Sequence, residues 1–279
     1  MITLDQLAQE VQDLAPLPAA AAKLAKIVSE KDPDVGDVVT AIKYDQALTA
    51  RILRYANSPM AGSLYKIQSV KDAVIRLGFA KVLEITVSSH VKSSLQKSLP
   101  EYGLGEEELW FHSVASALAA ESLQQRTKDK LPATSFTAAL LHDIGKLILA
   151  RHLDPQLQQQ IHRHTDDYST TYYQAEQDVL GFTHADLGAK VVLRWGLGDD
   201  IAQAVERHHG LSEDEGPTTD VVRICNLVAK TIGSGLGYEG MNLIGDPGAC
   251  ERLGIGRTAY EGLCAEVATL LLQFQEWAA

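Results

Sequence analysis

The sequence predicts an all-α protein, an N-terminal helical bundle packed on a second helical bundle, and three observations carry that reading. Apolar residues recur at intervals of three and four along most of the chain, the period of a helix with one buried face. Strand-like alternation of useful length is missing, as is any internal repeat. Residues 136–150 are apolar on every side of the helical wheel, through Phe136, Ala138, Ala139, Leu140, Leu141, Ile144, Leu147 and Ile148, which predicts a fully buried central helix. With 279 residues the chain can bury a substantial core as one large domain or two smaller ones.

The N-terminal subdomain, residues 1–100, reads as short helices with clear punctuation. Residues 4–14 are amphipathic and Pro16 and Pro18 stop them; a second helix over 19–29 is closed by Asp32-Pro33-Asp34. Asp34 caps a third helix, ending near Tyr44-Asp45, and residues 47–57 form a fourth, with Leu48, Ile52, Leu53 and Ala56 on one stripe. Ser69, with Asp72 three residues on, makes a capping box for Ala73, Val74 and Leu77, and Gly78 suits a left-handed stop. Residues 81–95 complete this half, and 100–105 mark the boundary to a second subdomain over 105–279.

That subdomain opens on Glu106, Glu107 and Glu108, acids suited to the positive end of a helix that continues through Leu109-Trp110-Phe111-His112-Ser113 to about Gln125. A polar stretch leads into the central helix. Beyond Arg151 the chain turns polar, and His152, His162 and His164 are expected to face solvent. Thr183, supported by Asp186, caps a helix over 185–195 that Gly196 ends. Asp199 or Asp200 caps the next, which runs through Glu206-Arg207-His208-His209 to Gly210. An acidic loop over 212–216 precedes a helix over 221–232; residues 233–248 read as a glycine-rich connection, and residues 259–277 as a final amphipathic helix.

Composition narrows the function classes. A net charge of −11 opposes non-specific binding to a phosphate backbone, so no direct nucleic-acid partner is expected. Charges interrupt every apolar run within about a dozen residues, too short to span a bilayer. The acidic, amphipathic N-terminus is unlike a signal peptide, and Cys225, Cys250 and Cys264 lack metal-type spacing; a cytoplasmic protein with reduced thiols is expected.

The chemistry concentrates around Leu140-Leu141-His142-Asp143-Ile144-Gly145-Lys146, where an imidazole, a carboxylate and an ammonium fall in the most apolar stretch of the chain. Buried ionisable groups are costly unless paired or bound to metal. Further histidines on the helices of the second half, His112, His184, His208 and His209, could supply partners, with Glu108 one turn before His112. Imidazole and carboxylate together suit Fe, Mn, Zn or Co, and bundles build such sites from inward side chains of facing helices. His90 stands apart from this set as an ordinary surface or core residue.

This succession of His112, His142-Asp143 with Lys146, His184 and His208-His209 resembles the HD superfamily of metal-dependent phosphohydrolases, and most closely its HDOD family of bacterial signalling proteins. Leu17-Pro18, the stretches 44–49 and 52–58, and Ala73-Val74-Ile75-Arg76-Leu77-Gly78 extend the match through the first half; Trp110-Phe111-His112-Ser113, the stretch 184–189 and Trp195 extend it through the second. The resemblance implies a cytoplasmic, all-helical regulatory output module, often joined to a receiver or other signalling domain and acting through protein partners. His112, His142 and Asp143 match metal-ligand positions. His184, His208 and His209 match ligands that the related HD-GYP phosphodiesterases add. Glu108 and Asn226 are further candidates, and Lys146 matches the lysine that contacts substrate phosphate.

Two departures bear on activity. Asn226 aligns where the last HD aspartate belongs, and an amide supplies no negative charge; Asp220 is six residues out of register. The loop after His209 carries acids in place of a Gly-Tyr-Pro signature and would repel a dinucleotide's phosphates. The expectation is a non-catalytic output domain with a retained or vestigial metal site, able to take a nucleotide as a regulatory ligand. The alternatives are a phosphohydrolase acting on a nucleotide or cyclic dinucleotide, with Lys146 and Asp143 in catalytic roles, and a metal-free helical adaptor.

Overall fold

The computed structural model describes residues 3–4, 6–7, 17–28, 30, 33–58, 61–62, 66–127, 129–165, 170–210, 215–240 and 243–278. Their secondary structure is helical, with an isolated antiparallel bridge between Leu99 and Leu104 and no strand among the described residues. No described helix is long and apolar enough to cross a membrane. Most of the helix expected over 4–14 falls outside the described residues, as do the acids at 213–214.

The chain divides into two compact units, one of Ala15–Lys92 with Trp195–Gly198, the other of Met1–Leu14, Ser93–Arg194 and Asp199–Ala279. The smaller contains α1 (Ala19–Val28), α2 (Val35–Ile42), α3 (Gln46–Ala56), α4 (Val70–Leu77) and the first turns of α5 (Phe79–Leu95). Leu24, Ile42, Ile52 and Val74 are fully buried in it. Its helix starts follow side-chain chemistry. The carboxylates of Asp34 and Asp45 accept the N–H groups of Gly36 and Leu48, and Ser69 Oγ accepts that of Asp72 at 3.0 Å while donating to the Asp72 carboxylate. Gly78 ends α4 at φ +80° as expected, but its ψ of 163° is extended rather than left-handed helical. The His90 ring packs edge-on against Trp195 at 5.7 Å between centroids.

The larger unit is built around α6 (Glu108–Gln124), which packs against α7 (Ser135–Leu141), α13 (Pro217–Thr231) and α15 (Arg257–Ala278). Nearly every α6 side chain from Leu109 to Leu123 is buried, so α6 is the axis of this unit. The stretch expected as one central helix is buried from Thr137 to Ala150, with Phe136 half-buried, but it is two helices, α7 and α8 (Lys146–Leu149), separated by a turn over 142–145. Two helices stand where none is expected: α9 (Pro155–Thr165) and α10 (Tyr172–Leu180). Further on come α11 (His184–Arg194) and α12 (Asp199–Glu206). Thr183 caps α11 through a reciprocal pair: its N–H and hydroxyl donate to the Asp186 carboxylate, and its Oγ1 accepts the Asp186 N–H. The chain leaves α12 at Glu206, before the expected stop at Gly210. Within the expected glycine-rich connection lies a 3₁₀ turn, Gly237–Glu239, and at its end α14 (Pro247–Arg252) begins.

Candidate metal centre

The break between α7 and α8 creates the site. In a continuous helix the Ala139 carbonyl would receive the Asp143 N–H. Here the His142 ring takes it, with Nδ1 2.7 Å from Ala139 O. The following amides tighten to carbonyls three residues back, Ile144 to Leu141 at 2.9 Å and Lys146 to Asp143 at 3.0 Å. This winding turns His142 and Asp143 towards one point. Gly145 lets the turn lie directly on α11: a Cβ there would sit 1.9 Å from the His184 carbonyl oxygen and 2.6 Å from the Gly188 nitrogen. The same close approach brings Asp143 to His184, with Nε2 to Oδ1 at 3.3 Å.

Asp143 is the hub. Its Oδ2 faces His142 Nε2 at 3.4 Å and His112 Nε2 at 3.7 Å; its Oδ1 faces His184 Nε2 at 3.3 Å and His208 Nε2 at 3.6 Å. Two potential ligand sets share it, His112–His142–Asp143 and Asp143–His184–His208–His209. All but the half-buried His209 are buried.

Each ring of the inner four is oriented by its far nitrogen. His112 Nδ1 lies 2.8 Å from Ser234 O, His142 Nδ1 2.7 Å from Ala139 O, and His208 Nδ1 2.7 Å from Val205 O. His184 Nδ1 lies 2.7 Å from the Glu176 carboxylate. Carbonyls and carboxylates only accept, so all four Nδ1 atoms carry the proton. A neutral ring so fixed presents a bare lone pair on Nε2, the arrangement in which histidine binds metal. The consequence is visible at His112 and His142, whose Nε2 atoms face one another at 3.2 Å beside the Asp143 carboxylate. Two nitrogen lone pairs facing one another at that distance repel unless a cation lies between them. His208 Nε2 and Asp143 Oδ1, both buried, accept no well-aligned hydrogen bond either. The donor set therefore fits a divalent metal: nitrogen and oxygen ligands, oriented rings and unsatisfied lone pairs.

The protonation states follow the surroundings. Burial, with His142 nearby, pushes His112 down to about 4, and burial takes His208 down to about 3. Burial also holds His209 well below its ordinary value, with His208 adding to the effect. His184 differs: burial opposes its charge, but the Glu176 and Asp143 carboxylates outweigh it and hold the ring up at about 9. Asp143 remains well below the carboxylate range despite its burial, because the Lys146 ammonium favours its charge.

Two important groups escape sequence reading. Glu176, on the unexpected helix α10, is fully buried and accepts from His184 N, His184 Nδ1 and the Tyr102 hydroxyl at 2.7–2.8 Å. Glu239, on the 3₁₀ turn, binds Lys146 Nζ at 2.6 Å and Lys230 Nζ at 2.5 Å. Lys146 Nζ also meets Asp143 Oδ2 at 2.9 Å, so it stands between two carboxylates. Glu108 falls in neither ligand set; its carboxylate accepts the Gly105 N–H at 2.8 Å and closes the start of α6. Asn226 is buried with Oδ1 lacking a hydrogen-bond partner, and it lines a cavity of about 550 Å³ with His208, His209, Lys230 and Glu239. Asp220, the out-of-register acid, is engaged by Arg252. His152 and His162 are half-buried and His164 is exposed; the His162 ring lies against Tyr238.

The fold is shared by solved structures of low sequence identity. An HDOD domain protein of unknown function from Geobacter sulfurreducens is 24% identical, with a TM-score of 0.69 over 96% of this chain and 94% of that one. A provisionally named signal transduction protein from Marinobacter aquaeolei VT8 superposes with a TM-score of 0.73 at 22% identity, over 100% of this chain and 61% of that one. An uncharacterized protein of Treponema pallidum (strain Nichols) is 23% identical over 246 residues, 84% of this chain but 45% of that protein, so the chain spans about half the length of the relative it matches. The HDOD domain profile matches residues 14–211, well over half the chain and inclusive of all six residues of the two ligand sets; the chain belongs to the HDOD family.

Proposed function

We propose that this chain is a signalling output module whose HD-type centre holds divalent metal and works through ligand-dependent contacts with protein partners, a receiver or another signalling domain among them, rather than through hydrolytic turnover. The observation that carries the metal reading is the convergence of four Nδ1-anchored histidines on Asp143, with bare lone pairs 3.2 Å apart at His112 and His142. His112, His142 and Asp143 would hold one ion, and Asp143 with His184, His208 and His209 a second. Bound metal would supply Lewis acidity towards a phosphoryl oxygen and make a water more acidic.

The chain's own residues favour binding over turnover. Lys146, the group positioned to steady a phosphate, is tied to Asp143 and Glu239. Asn226 brings an amide where a negative charge is wanted. A hydrolase is the second reading, favoured by the cavity of about 550 Å³ that reaches His208, His209 and Asn226. The two separate in a phosphodiesterase assay on protein loaded with Mn or Fe, using cyclic dinucleotides and a chromogenic phosphodiester. The expected rate equals that of Asp143→Ala; turnover that disappears in Asp143→Ala establishes the hydrolase instead.

A further inference from the structure

The charges beside the centre form a second arrangement that metal ligation does not use. Lys146 and Lys230 are both largely buried, with side chains 6% and 12% exposed, and their ammonium groups converge on one carboxylate, Glu239. Glu239 presents one oxygen to each lysine, at 2.6 and 2.5 Å. Two ammoniums meeting separate oxygens of one anion is how a protein holds a phosphoryl group, for which lysine serves as a point charge. Here the anion comes from the chain itself. It also lies at the wall of the cavity: Glu239 and Lys230 line it with His208, His209 and Asn226, while Lys146 stands behind Glu239 and joins it to Asp143.

Arg223 also lines the cavity but is already committed, to Glu215 at 2.5 Å, to Asp246 at 3.0 Å and to the Arg207 carbonyl at 2.9 Å. The lysines differ: Lys230 lines the cavity, and a single side chain, Glu239, occupies both ammonium groups and stands between Lys146 and the cavity. Its backbone is shaped for delivery. Gly235 and Gly237 adopt φ +57° and +48°, where a Cβ would meet Glu108 O at 2.5 Å and Tyr102 O at 2.3 Å, so the segment lies against the backbone of the larger unit. Ser234, in the same segment, supplies the carbonyl that orients His112. Burying four charges is tolerable because they balance: Asp143 and Glu239 against Lys146 and Lys230. Removing Glu239 alone leaves a cation in excess, which an incoming anion would neutralise.

We propose that Lys146 and Lys230 form a binding site for a phosphoryl anion, held closed in this conformation by Glu239 acting as an internal stand-in for that anion. The site rests on the signalling reading above, for which it supplies the ligand chemistry, and it makes exchange of Glu239 for phosphate the event that shifts the 237–240 segment. The test is calorimetric titration of the full chain with inorganic phosphate in the presence of chelator, so that it reads the lysines without metal; metal content, measured separately, reports on the centre itself. Glu239→Gln should bind phosphate at least tenfold more tightly than wild type, and Lys230→Met in that background should remove the gain. A folded Glu239→Gln with unchanged phosphate affinity overturns the proposal. If Glu239→Gln does not fold, Glu239→Asp, with the carboxylate withdrawn by one methylene, should show a smaller gain, and no gain overturns it equally. Wild-type protein decides the matter if neither variant folds: concentrated phosphate should accelerate hydrogen exchange at amides 237–240, and unchanged exchange contradicts the latch.

Discussion

The smaller unit and the centre of the larger one use burial in opposite ways. In the smaller unit the fully buried side chains are aliphatic, Leu24, Ile42, Ile52 and Val74 among them, while polar side chains work at helix ends, as Asp34, Asp45 and Ser69 do, or are buried with a local partner, as Glu84 is with Lys81 and Thr86 with the Val82 carbonyl. At the centre of the larger unit the buried groups include Asp143, Lys146, Glu176, His112, His142, His184 and His208. An aliphatic core gains from each area removed from water, whereas a core of ionisable groups must first offset their desolvation. The smaller unit is therefore organised for stability. The centre is held at a cost that a bound cation would recover.

Substituting one residue type in both regions sharpens that contrast. Gly145→Ala drives a Cβ into the backbone of α11, at 1.9 Å from His184 O, and should destabilise by about 3 kcal/mol or more while abolishing metal uptake. Gly78→Ala meets no atom within 4 Å and should cost about 1–3 kcal/mol, the backbone strain of φ +80° with ψ 163°, with metal uptake intact. Chemical denaturation beside a metal titration reads both; a Gly145→Ala protein that folds and loads normally would break the comparison.

Ile52→Ala comes next in size. Removing three carbons from a fully buried site in the smaller unit should cost about 3 kcal/mol through the cavity it leaves, while metal stoichiometry at low temperature stays that of wild type. Loss of metal without loss of fold in this variant would tie the two regions together more closely than their chemistry requires.

The smallest effect is a proton count within the centre. His184 is held at about 9 in the metal-free protein, so it is charged at pH 7, and its Nε2 can bind metal only after losing that proton. His112 and His208, at about 4 and about 3, are already neutral there. Metal entry at pH 7 should therefore release close to one proton per chain, falling to none above about pH 10, and metal affinity should rise with pH until about 9 and then level. Glu176→Gln removes the carboxylate that holds the His184 charge and should reduce the release at pH 7. Calorimetry in buffers of different ionisation enthalpy measures it; equal release by both proteins would contradict the role given to Glu176.

What the sequence made legible divides along the same line. Caps at Asp34, Ser69 and Thr183 are local, a side chain reaching an amide two or three residues away, and pattern alone finds them. The gathering of His112, His142, Asp143, His184, His208 and His209 was legible from residue type and from the family resemblance. The turn at 142–145 was not, because the apolar periodicity continues through it and only the His142 bond to Ala139 O breaks the helix. Helix α9 was hidden by its polar composition, and α10, short and following a polar stretch, went unread, Glu176 with it. Glu239 lies in a glycine-rich segment whose sequence says nothing of two lysines 93 and 9 residues away that meet its carboxylate. Long-range ion pairs leave no periodic trace.

The signalling proposal rests on Asp143 and the histidines around it holding divalent metal. Elemental analysis of protein purified without chelator and incubated with Mn or Fe, beside Asp143→Ala prepared identically, tests it most directly. Bound divalent metal in the wild-type chain, lost in folded Asp143→Ala, is the expected result. A wild-type chain that takes up no metal, or an Asp143→Ala chain that retains all of it, contradicts the account.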